Sequence, residues 1–368
     1  MSMLDKEKIS QRQFTVLVMM FIIGSSILIS PSGLALEAKH DAWIAVIFSV
    51  AIGLSLVFLY VSLSNRYSNM TLAQYSELII GKWAGKFLSL LYFFYFFILS
   101  ALVLRNLGDF LKVYDLPNTP IEAIHILFLL VVVMAIRLRL EAFARATEIF
   151  FPVVMIIAFT VILFIAPQSD VTNIQPVLEE GFKPIIRASI PFMGTPLLEL
   201  VVFLMILPSI NQTTGKKMVF LKGYFLGGGL LIIFSILTIL VLGDDLTGRK
   251  LFPTYDLAKQ INVGNFLQRL ESLVAVLWFI TIFIKTTICF YATVLCLSQS
   301  LNIKDYRILV YPLSIPIIIL SLTAYPNTAY FMTVVGSTWP YLALVFGLIF
   351  PVVLLIISFI RKKTEDMT

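Results

Sequence analysis

The sequence predicts an all-α polytopic membrane protein with ten transmembrane helices, on the evidence of its composition and its long apolar runs. Of the 368 residues, 59% are hydrophobic and 13% are charged, whereas a soluble domain carries about 25% charged residues. The apolar runs are each about 20 residues long, the length that a helix needs to cross a bilayer. Helices also pair their own backbone polar groups, which lipid cannot do. The lipid bilayer is therefore an expected partner of the chain.

The chain is expected to form a single transmembrane domain over residues 1–368, with short connections between its spans. The first span is expected to be retained rather than cleaved as a signal peptide, because no small-residue cleavage site follows it. Two connections are longer and rich in Asp, Glu, Pro and Asn, namely 167–187 and 244–269. The predicted spans are 13–35, 42–64, 86–111, 120–137, 143–166, 188–208, 218–243, 270–299, 306–324 and 335–360.

The distribution of basic residues predicts the orientation. With the N-terminus in the cytoplasm, 17 of the 27 Lys and Arg residues fall on the inner side, and every inner segment is basic. An excess of this kind marks cytoplasmic loops. An even number of spans keeps the basic inner segments alternating with the outer segments along the chain. Both termini are therefore expected in the cytoplasm.

Charge and motifs argue against nucleic-acid binding and against enzyme chemistry. The net charge is +6, but the basic residues occur in short clusters that build no continuous basic face. The sequence contains no P-loop, nucleophile elbow or H-E-x-x-H motif, and its two His residues lack the spacing of metal ligands. Cys289 and Cys296 lie about 10 Å apart on a helix, too far for a disulfide. No catalytic residue, cofactor or metal is therefore predicted.

Two interruptions in the apolar pattern indicate internal symmetry. The first span is broken at Gly24-Ser25-Ser26 and the sixth at Gly194-Thr195-Pro196, 170 residues further along. Five spans in each half require the halves to insert with opposite topology. This pattern predicts a 5+5 inverted repeat in which the broken helices 1 and 6 point at a substrate site.

The first interruption, at Gly24, Ser25, Ser26 and Ile27, is a candidate ligand-binding segment. Gly and Ser release a helix from its preferred dihedrals and expose N–H and C=O groups. At membrane depth such groups are tolerated inside protein or along a hydrated cavity. The N–H groups at the start of a half-helix suit a carboxylate. The alternative interpretation is a close contact between helices through small residues.

The second interruption adds Met193, Gly194, Thr195 and Pro196 to the candidate site. Pro196 removes a backbone donor and clashes with the preceding turn, and Gly194 adds conformational freedom beside it. A proline kink is common in membrane helices and indicates little by itself. Its place in the symmetry-related span is what favours a site.

Two charged residues lie deep in apolar runs, Glu199 just after the second interruption and Lys285 in the eighth span, followed by Thr286 and Thr287. Ionisable groups at this depth indicate function by default. Glu199 and Lys285 are candidate partners of each other. Two alternatives stay open: one of them faces a hydrated site alone, or each has a structural or interfacial role. Thr286 and Thr287 complete the predicted ligand-binding set.

The run Ile23-Gly24-Ser25-Ser26-Ile27 resembles the I-G-S-G-I element of the amino acid–polyamine–organocation superfamily, with Ser26 where the superfamily usually has Gly. Gln13-Phe14 and Pro31 resemble the pattern of the spore germination protein family, the B subunits of GerA-type germinant receptors. The resemblance extends over essentially the whole chain. It implies a LeuT-like transporter fold whose members sense nutrients in the inner membrane of dormant endospores. It also implies A and C receptor subunits as partners.

Three functions follow as hypotheses. In the first, the chain is a receptor that binds a small nutrient, with an amino acid favoured, between the broken spans, and the 244–269 loop acts as a lid. In the second, it is an ion-coupled transporter of amino acids or polyamines in which Glu199 carries protons or a cationic substrate. In the third, it is a scaffold with a vestigial cavity.

Overall fold

A computed structural model of the chain describes residues 7–211, 215–260 and 271–365, with side chains as far as Arg361. In these residues the secondary structure is helical, apart from one parallel β-bridge between Ile9 and Ile210. The α-helices, in chain order, are α1 (Gln11–Ile23), α2 (Ser26–Ala38), α3 (Ala42–Arg66), α4 (Leu72–Ile80), α5 (Lys82–Tyr114), α6 (Ile121–Arg137), α7 (Arg139–Ile165), α8 (Phe182–Gly194), α9 (Lys216–Arg249), α10 (Pro253–Lys259), α11 (Glu271–Ser300), α12 (Val310–Thr323), α13 (Thr328–Ser337), α14 (Trp339–Leu344) and α15 (Phe350–Glu365).

The chain is an integral, multi-pass membrane protein. Eight helical stretches in the described residues are long and apolar enough to cross a bilayer. One of them, Ser26–Arg66, has 41 residues and turns back at the short 3-10 helix Lys39–Asp41, so it takes part in two crossings. Two shorter helices complete the pattern: α1 leads into α2 across a break, and α6 has 17 residues. The arrangement fits ten crossings.

The two ends of the bundle are distinguished by the residues at the helix termini. We call the end that carries Glu7, Arg137 and Lys216 the N-side, and the end that carries Lys39 and Tyr114 the far side. On the far side, the two carboxylate oxygens of Asp41 accept the N–H of Leu178 at 3.0 and 3.1 Å. Lys39 pairs with Glu180 beside this contact, which lowers the pKa of Glu180 and raises that of Lys39.

The first and sixth spans are broken where the sequence predicts. In the first span, α1 ends at Ile23 and α2 begins at Ser26. In the sixth span, α8 ends at Gly194, a turn follows, and Leu198–Met205 forms a 3-10 helix that carries Glu199. Pro196 lacks the N–H that would continue α8, so the backbone resumes in a tighter helix. The predicted breaks are confirmed; the 3-10 geometry was not predicted.

The tenth span is divided as well, which the sequence did not indicate. It begins at Thr328 with α13, continues through α14, and passes through a π-helical turn at Val345–Ile349 before α15. A π-turn frees backbone carbonyl groups from the α-helical pattern. The hydroxyl of Tyr60 donates to the carbonyl of Gly347 at 2.6 Å, and that of Tyr92 to the carbonyl of Phe346 at 2.9 Å. These two tyrosines therefore stabilise the irregular turn.

The connection 244–269, predicted as a lid, is described as far as Gln260, and residues 261–269 lie outside the described part of the chain. Its first part completes α9, which is kinked at Gly243, where φ is 74°. The hydroxyl of Thr254 in α10 donates to the carbonyl of Ile27 at 2.6 Å. This bond fastens α10 to the first span just after its break.

Candidate ligand-binding site

The two helix breaks meet around the ammonium group of Lys285. α11 passes both breaks, and the Lys285 side chain is fully buried. Its Nζ donates to Ser25 Oγ at 2.9 Å and to the carbonyl of Thr195 at 3.4 Å. The ring centroid of Phe21 lies 5.0 Å away, within cation–π distance. One buried cation therefore joins the interruptions of both broken spans.

Glu199 is the counter-ion of Lys285. Lys285 Nζ lies 2.6 Å from Glu199 Oε2, and the two side chains are 0% and 2% exposed. At this distance the attraction between the two buried charges holds the contact. The other oxygen, Oε1, accepts the indole N–H of Trp339 at 2.8 Å. Of the interpretations that the sequence left open, direct pairing is the one found in this structure.

An aromatic stack covers the ion pair. The ring of Trp339 is stacked on Tyr95 with centroids 5.5 Å apart, and Tyr95 is stacked on Phe346 at 4.6 Å. The hydroxyls of Tyr95 and Ser26 are buried and have no hydrogen-bond partner among the described residues. A buried hydroxyl without a partner is costly. The site therefore holds unused hydrogen-bonding capacity at the first break and under the aromatic stack.

Glycines provide the close approach at both breaks. A Cβ on Gly24 would lie 2.5 Å from Lys285 Cδ and 2.7 Å from the carbonyl oxygen of Phe21. A Cβ on Gly194 would lie 2.8 Å from Pro340 Cα in the tenth span. The absence of a side chain at these two positions lets α11 and α14 reach the breaks.

Other members of the predicted set lie near the pair without contacting it through a hydrogen bond. The hydroxyls of Thr286 and Thr287 donate to carbonyls of their own helix, those of Ile282 and Phe283, at 2.8 Å each. The carbonyl of Ile27 is taken by Thr254. Met193 is half-buried in α8, and Pro196 is buried in the turn that follows it. The structure thus brings the two breaks together with Glu199 and Lys285. The hydroxyls of the two threonines form no hydrogen bond with this group.

Trp339 and Tyr95 were not among the predicted site residues. Trp339-Pro340 directly follows Gly336-Ser337-Thr338, a third group of small residues inside an apolar run. This grouping is the signal that could have indicated another interrupted span. Nothing local to Trp339 indicates that its N–H reaches a carboxylate of the sixth span.

A cavity on the far side leads toward the site. It has a volume of about 490 Å³ and extends from Thr195 and Phe192 outward to Glu37, Arg249 and Lys250. Its walls come from α2, α8, the end of α9 and α13. We call this cavity the vestibule. Access from the far side therefore ends at the break in the sixth span.

The N-side is sealed by residues 7–10, which we call the N-terminal strap. Ile9 N donates to the carbonyl of Ser209 at 2.8 Å, so the strap joins the end of the sixth span. Glu7 is 4% exposed. Its carboxylate accepts the hydroxyls of Tyr306 at 2.8 Å and Tyr291 at 3.2 Å. The strap therefore connects the broken spans to the eighth and ninth spans.

Replacing Glu7 by Ala is expected to loosen this seal, because two buried tyrosine hydroxyls lose their acceptor. A cysteine placed at Ser209, which is fully buried beneath the strap, should react about tenfold faster with an impermeant thiol reagent. Glu141→Ala, which removes an exposed N-side carboxylate paired with Arg145, serves as the matched control. Equal labelling in both variants would show that Glu7 does not hold the strap.

Replacing Trp339 by Phe is expected to destabilise the protein by about 1–3 kcal/mol, because a buried carboxylate oxygen loses its donor. The aromatic stack on Tyr95 remains possible with Phe. Trp83→Phe, at a position that is 86% exposed, is the control and should change stability by no more than about 0.5 kcal/mol. Thermal unfolding in detergent measures both. Equal unfolding temperatures would mean that the indole N–H contributes nothing.

Comparison with known sequences identifies relatives over nearly the whole chain. The family profile described as "Spore germination protein" matches residues 8–329. Spore germination protein KB of Bacillus subtilis is 32% identical over 367 residues, covering 99% of this chain and 98% of the relative. Spore germination protein YndE of the same organism is 27% identical over 374 residues, covering 97% and 98%. The matched range spans both breaks and the positions of Glu199 and Lys285.

Comparison with solved structures confirms the predicted transporter-like fold. The transporter Mhp1 with bound bromovinylhydantoin superposes with a TM-score of 0.67 at 12% identity, over 93% of this chain and 78% of that chain. MhsT in complex with L-phenylalanine superposes with a TM-score of 0.67 at 11% identity, over 96% and 99%. At these identities the likeness concerns the fold alone.

Proposed function

The chain belongs to the spore germination protein family, and from this premise we propose that it is a nutrient-receptor subunit of the endospore inner membrane. Its ligand is a small zwitterion, an amino acid, bound at the Lys285–Glu199 pair between the broken spans. The observation that carries the proposal is this pair itself, a buried cation and anion 2.6 Å apart at the meeting point of two helix breaks.

A zwitterion matches the pair without leaving a charge unpaired. Its carboxylate can take the place of Glu199 beside Lys285, while its ammonium takes the place of Lys285 beside Glu199. A ligand with one charge would leave a buried charge uncompensated, which is strongly unfavourable. The unpartnered hydroxyls of Ser26 and Tyr95 offer two further bonds. The amino acid bound to a protein of the same fold, MhsT with L-phenylalanine, is consistent with this ligand class.

The two ends of the bundle favour binding over transport. The vestibule leads from the far side to Thr195, whereas the N-terminal strap closes the N-side through Glu7. With the N-terminus in the cytoplasm, as the basic loops predict, the ligand arrives from outside. Binding would move Glu199, and Trp339, which donates to it, would move with it. The outer part of the tenth span would then shift. The A and C receptor subunits are the partners that we propose take up this movement.

The experiment measures binding of amino acids to the purified chain in lipid nanodiscs by calorimetry. For an amino acid that binds, two analogues are compared: the amine that lacks its carboxyl group and the acid that lacks its amino group. We expect each analogue to bind about tenfold more weakly or worse, since each loses one ion pair. Equal affinity for the amino acid and either analogue would contradict insertion into the pair.

The alternative is a transporter, as is the solved protein Mhp1, which has a similar fold. Reconstitution of the chain alone into liposomes distinguishes the two functions. Saturable uptake of labelled amino acid driven by a pH gradient would favour transport, with Glu199 as the proton carrier. Binding without flux would favour the receptor.

A further inference from the structure

A second cavity lies on the lipid-facing surface behind α11. Its volume is about 560 Å³, and its lining comes from α5, α6, α7 and α11. On α11 the lining residues are Phe279, Ile280 and Phe283. Phe283 precedes Lys285 by two residues, which places the two side chains on opposite faces of the helix. We call this cavity the lateral groove; it lies back to back with the ligand-binding site across one helix.

The lateral groove is built for hydrocarbon. Its lining is apolar except for Thr119 near the far-side surface. Leu127 and Val131 at its rim are 66% and 53% exposed, so the groove opens sideways toward lipid. They follow the start of α6 at Ile121 by six and ten residues, or about 9 and 15 Å. The groove therefore runs from the far-side surface to roughly the middle of a 30 Å hydrocarbon core, the depth of one acyl chain.

Charged groups at the mouth of the groove indicate the headgroup. Nζ of Lys112 donates to the carbonyl of Pro117 at 3.0 Å, beside Leu116 of the lining, and keeps further N–H bonds for an acceptor. Asp115 lies three residues after Lys112 and one residue before Leu116 of the lining. The mouth thus offers one cation for a phosphate and one carboxylate for an amine. This pair of opposite charges matches a zwitterionic headgroup better than an anionic one.

We propose that the lateral groove binds one phospholipid whose headgroup carries both a phosphate and a primary amine. One acyl chain fills the groove, the phosphate meets Lys112, and the amine meets the neighbouring carboxylate of Asp115. The bound chain supports α11 from the side opposite Lys285. This last consequence rests on the proposed function, whereas the lipid site itself does not.

The test uses the full chain purified from membranes and reconstituted with equal amounts of phosphatidylethanolamine and phosphatidylglycerol. Native mass spectrometry then counts the retained lipids. Leu127→Trp fills the groove, and Leu130→Trp is the control, a lipid-facing residue on the same helix, 51% exposed and outside the lining. We expect the original chain and Leu130→Trp to retain one phosphatidylethanolamine, and Leu127→Trp to lose it about tenfold. Asp115→Asn should reduce the preference for phosphatidylethanolamine over phosphatidylglycerol, because it removes the charge that meets the amine, whereas Lys112→Gln should weaken the retention of both lipids.

Several results would overturn the proposal. Equal retention in Leu127→Trp and Leu130→Trp would show that the lipid binds elsewhere. Retention of phosphatidylglycerol as strongly as phosphatidylethanolamine would overturn the headgroup assignment. A free fatty acid retained in place of either lipid would overturn the assignment of the occupant as a phospholipid. Calorimetry on the same variants tests the coupling to α11. Amino-acid binding that is unchanged in Leu127→Trp, with the lipid lost, would overturn that coupling while the proposed ligand-binding function stands.

Discussion

Replacing Lys285 by Met is expected to destabilise the protein by about 3–5 kcal/mol and to abolish amino-acid binding. The change leaves the carboxylate of Glu199 buried without its cation, and an uncompensated buried charge costs about this much. Glu199→Gln should destabilise for the same reason, because it leaves the Lys285 ammonium unpaired. Thermal and denaturant unfolding in detergent measure the stability, and calorimetry measures the binding.

The double variant Lys285→Met/Glu199→Gln separates charge pairing from packing. Removing both charges together leaves neither unpaired, so its stability should lie closer to that of the original chain than either single variant does. The difference is the coupling free energy of the pair. Ligand binding should remain lost in the double variant, since both counter-charges are gone. Lys39→Met, which breaks the exposed contact with Glu180, is the control and should leave stability unchanged.

Additive losses would contradict the pair as a unit. If the double variant is destabilised by the sum of the single changes, Lys285 and Glu199 contribute independently. If both single variants fold and bind as the original chain does, the buried pair has no role in stability or in binding.

Replacing Gly24 by Ala is expected to weaken ligand binding about tenfold or more and to destabilise by about 1–3 kcal/mol, the usual cost of overpacking. The added methyl group would lie 2.5 Å from Lys285 Cδ and 2.7 Å from the carbonyl oxygen of Phe21. The backbone oxygen cannot move without distorting α1. The lysine must therefore shift away from the break, and its ammonium leaves Ser25.

Gly229→Ala is the matched control for this prediction. Gly229 lies inside α9, and a Cβ there meets no atom within 4 Å. Alanine favours a helix over glycine by about 0.5–1 kcal/mol, so this variant should be slightly more stable and bind ligand normally. Unfolding temperatures and calorimetry of the two variants give the comparison. A Gly24→Ala protein that binds as well as Gly229→Ala would exclude the first break as the site.

The breaks and the spans were predictable because they depend on local chemistry. Apolar length places a segment in the membrane, and Gly24 and Pro196 change the backbone wherever the helix lies. Glu199 and Lys285 stood out for the same reason, since a charge in an apolar run is visible in the sequence. Their distance from each other was not visible, because it depends on how α11 crosses the broken spans.

The parts that were not predicted depend on tertiary contacts or on rotamers. Trp339 reaches Glu199 because the tenth span is divided at α14 and its π-turn. The small residues before Trp339 could have indicated the division, but nothing local indicates the π-turn or the partner of the indole N–H. The hydroxyls of Thr286 and Thr287 were expected at the site and instead bond to the preceding turn. That choice between rotamers is common for Thr in helices, and sequence position does not reveal it.

The N-terminal strap has a consequence for the order of biosynthesis. Glu7 is synthesised 299 residues before Tyr306, whose hydroxyl donates to its carboxylate. Chains fold from the N-terminus as they are made, so the first span enters the membrane long before its anchor exists. Until Tyr291 and Tyr306 have emerged, the carboxylate has only the N–H of Leu140, at 3.4 Å, among the bonds described for it. Closure of the N-side is therefore a late event that marks a chain whose eighth and ninth spans are in place.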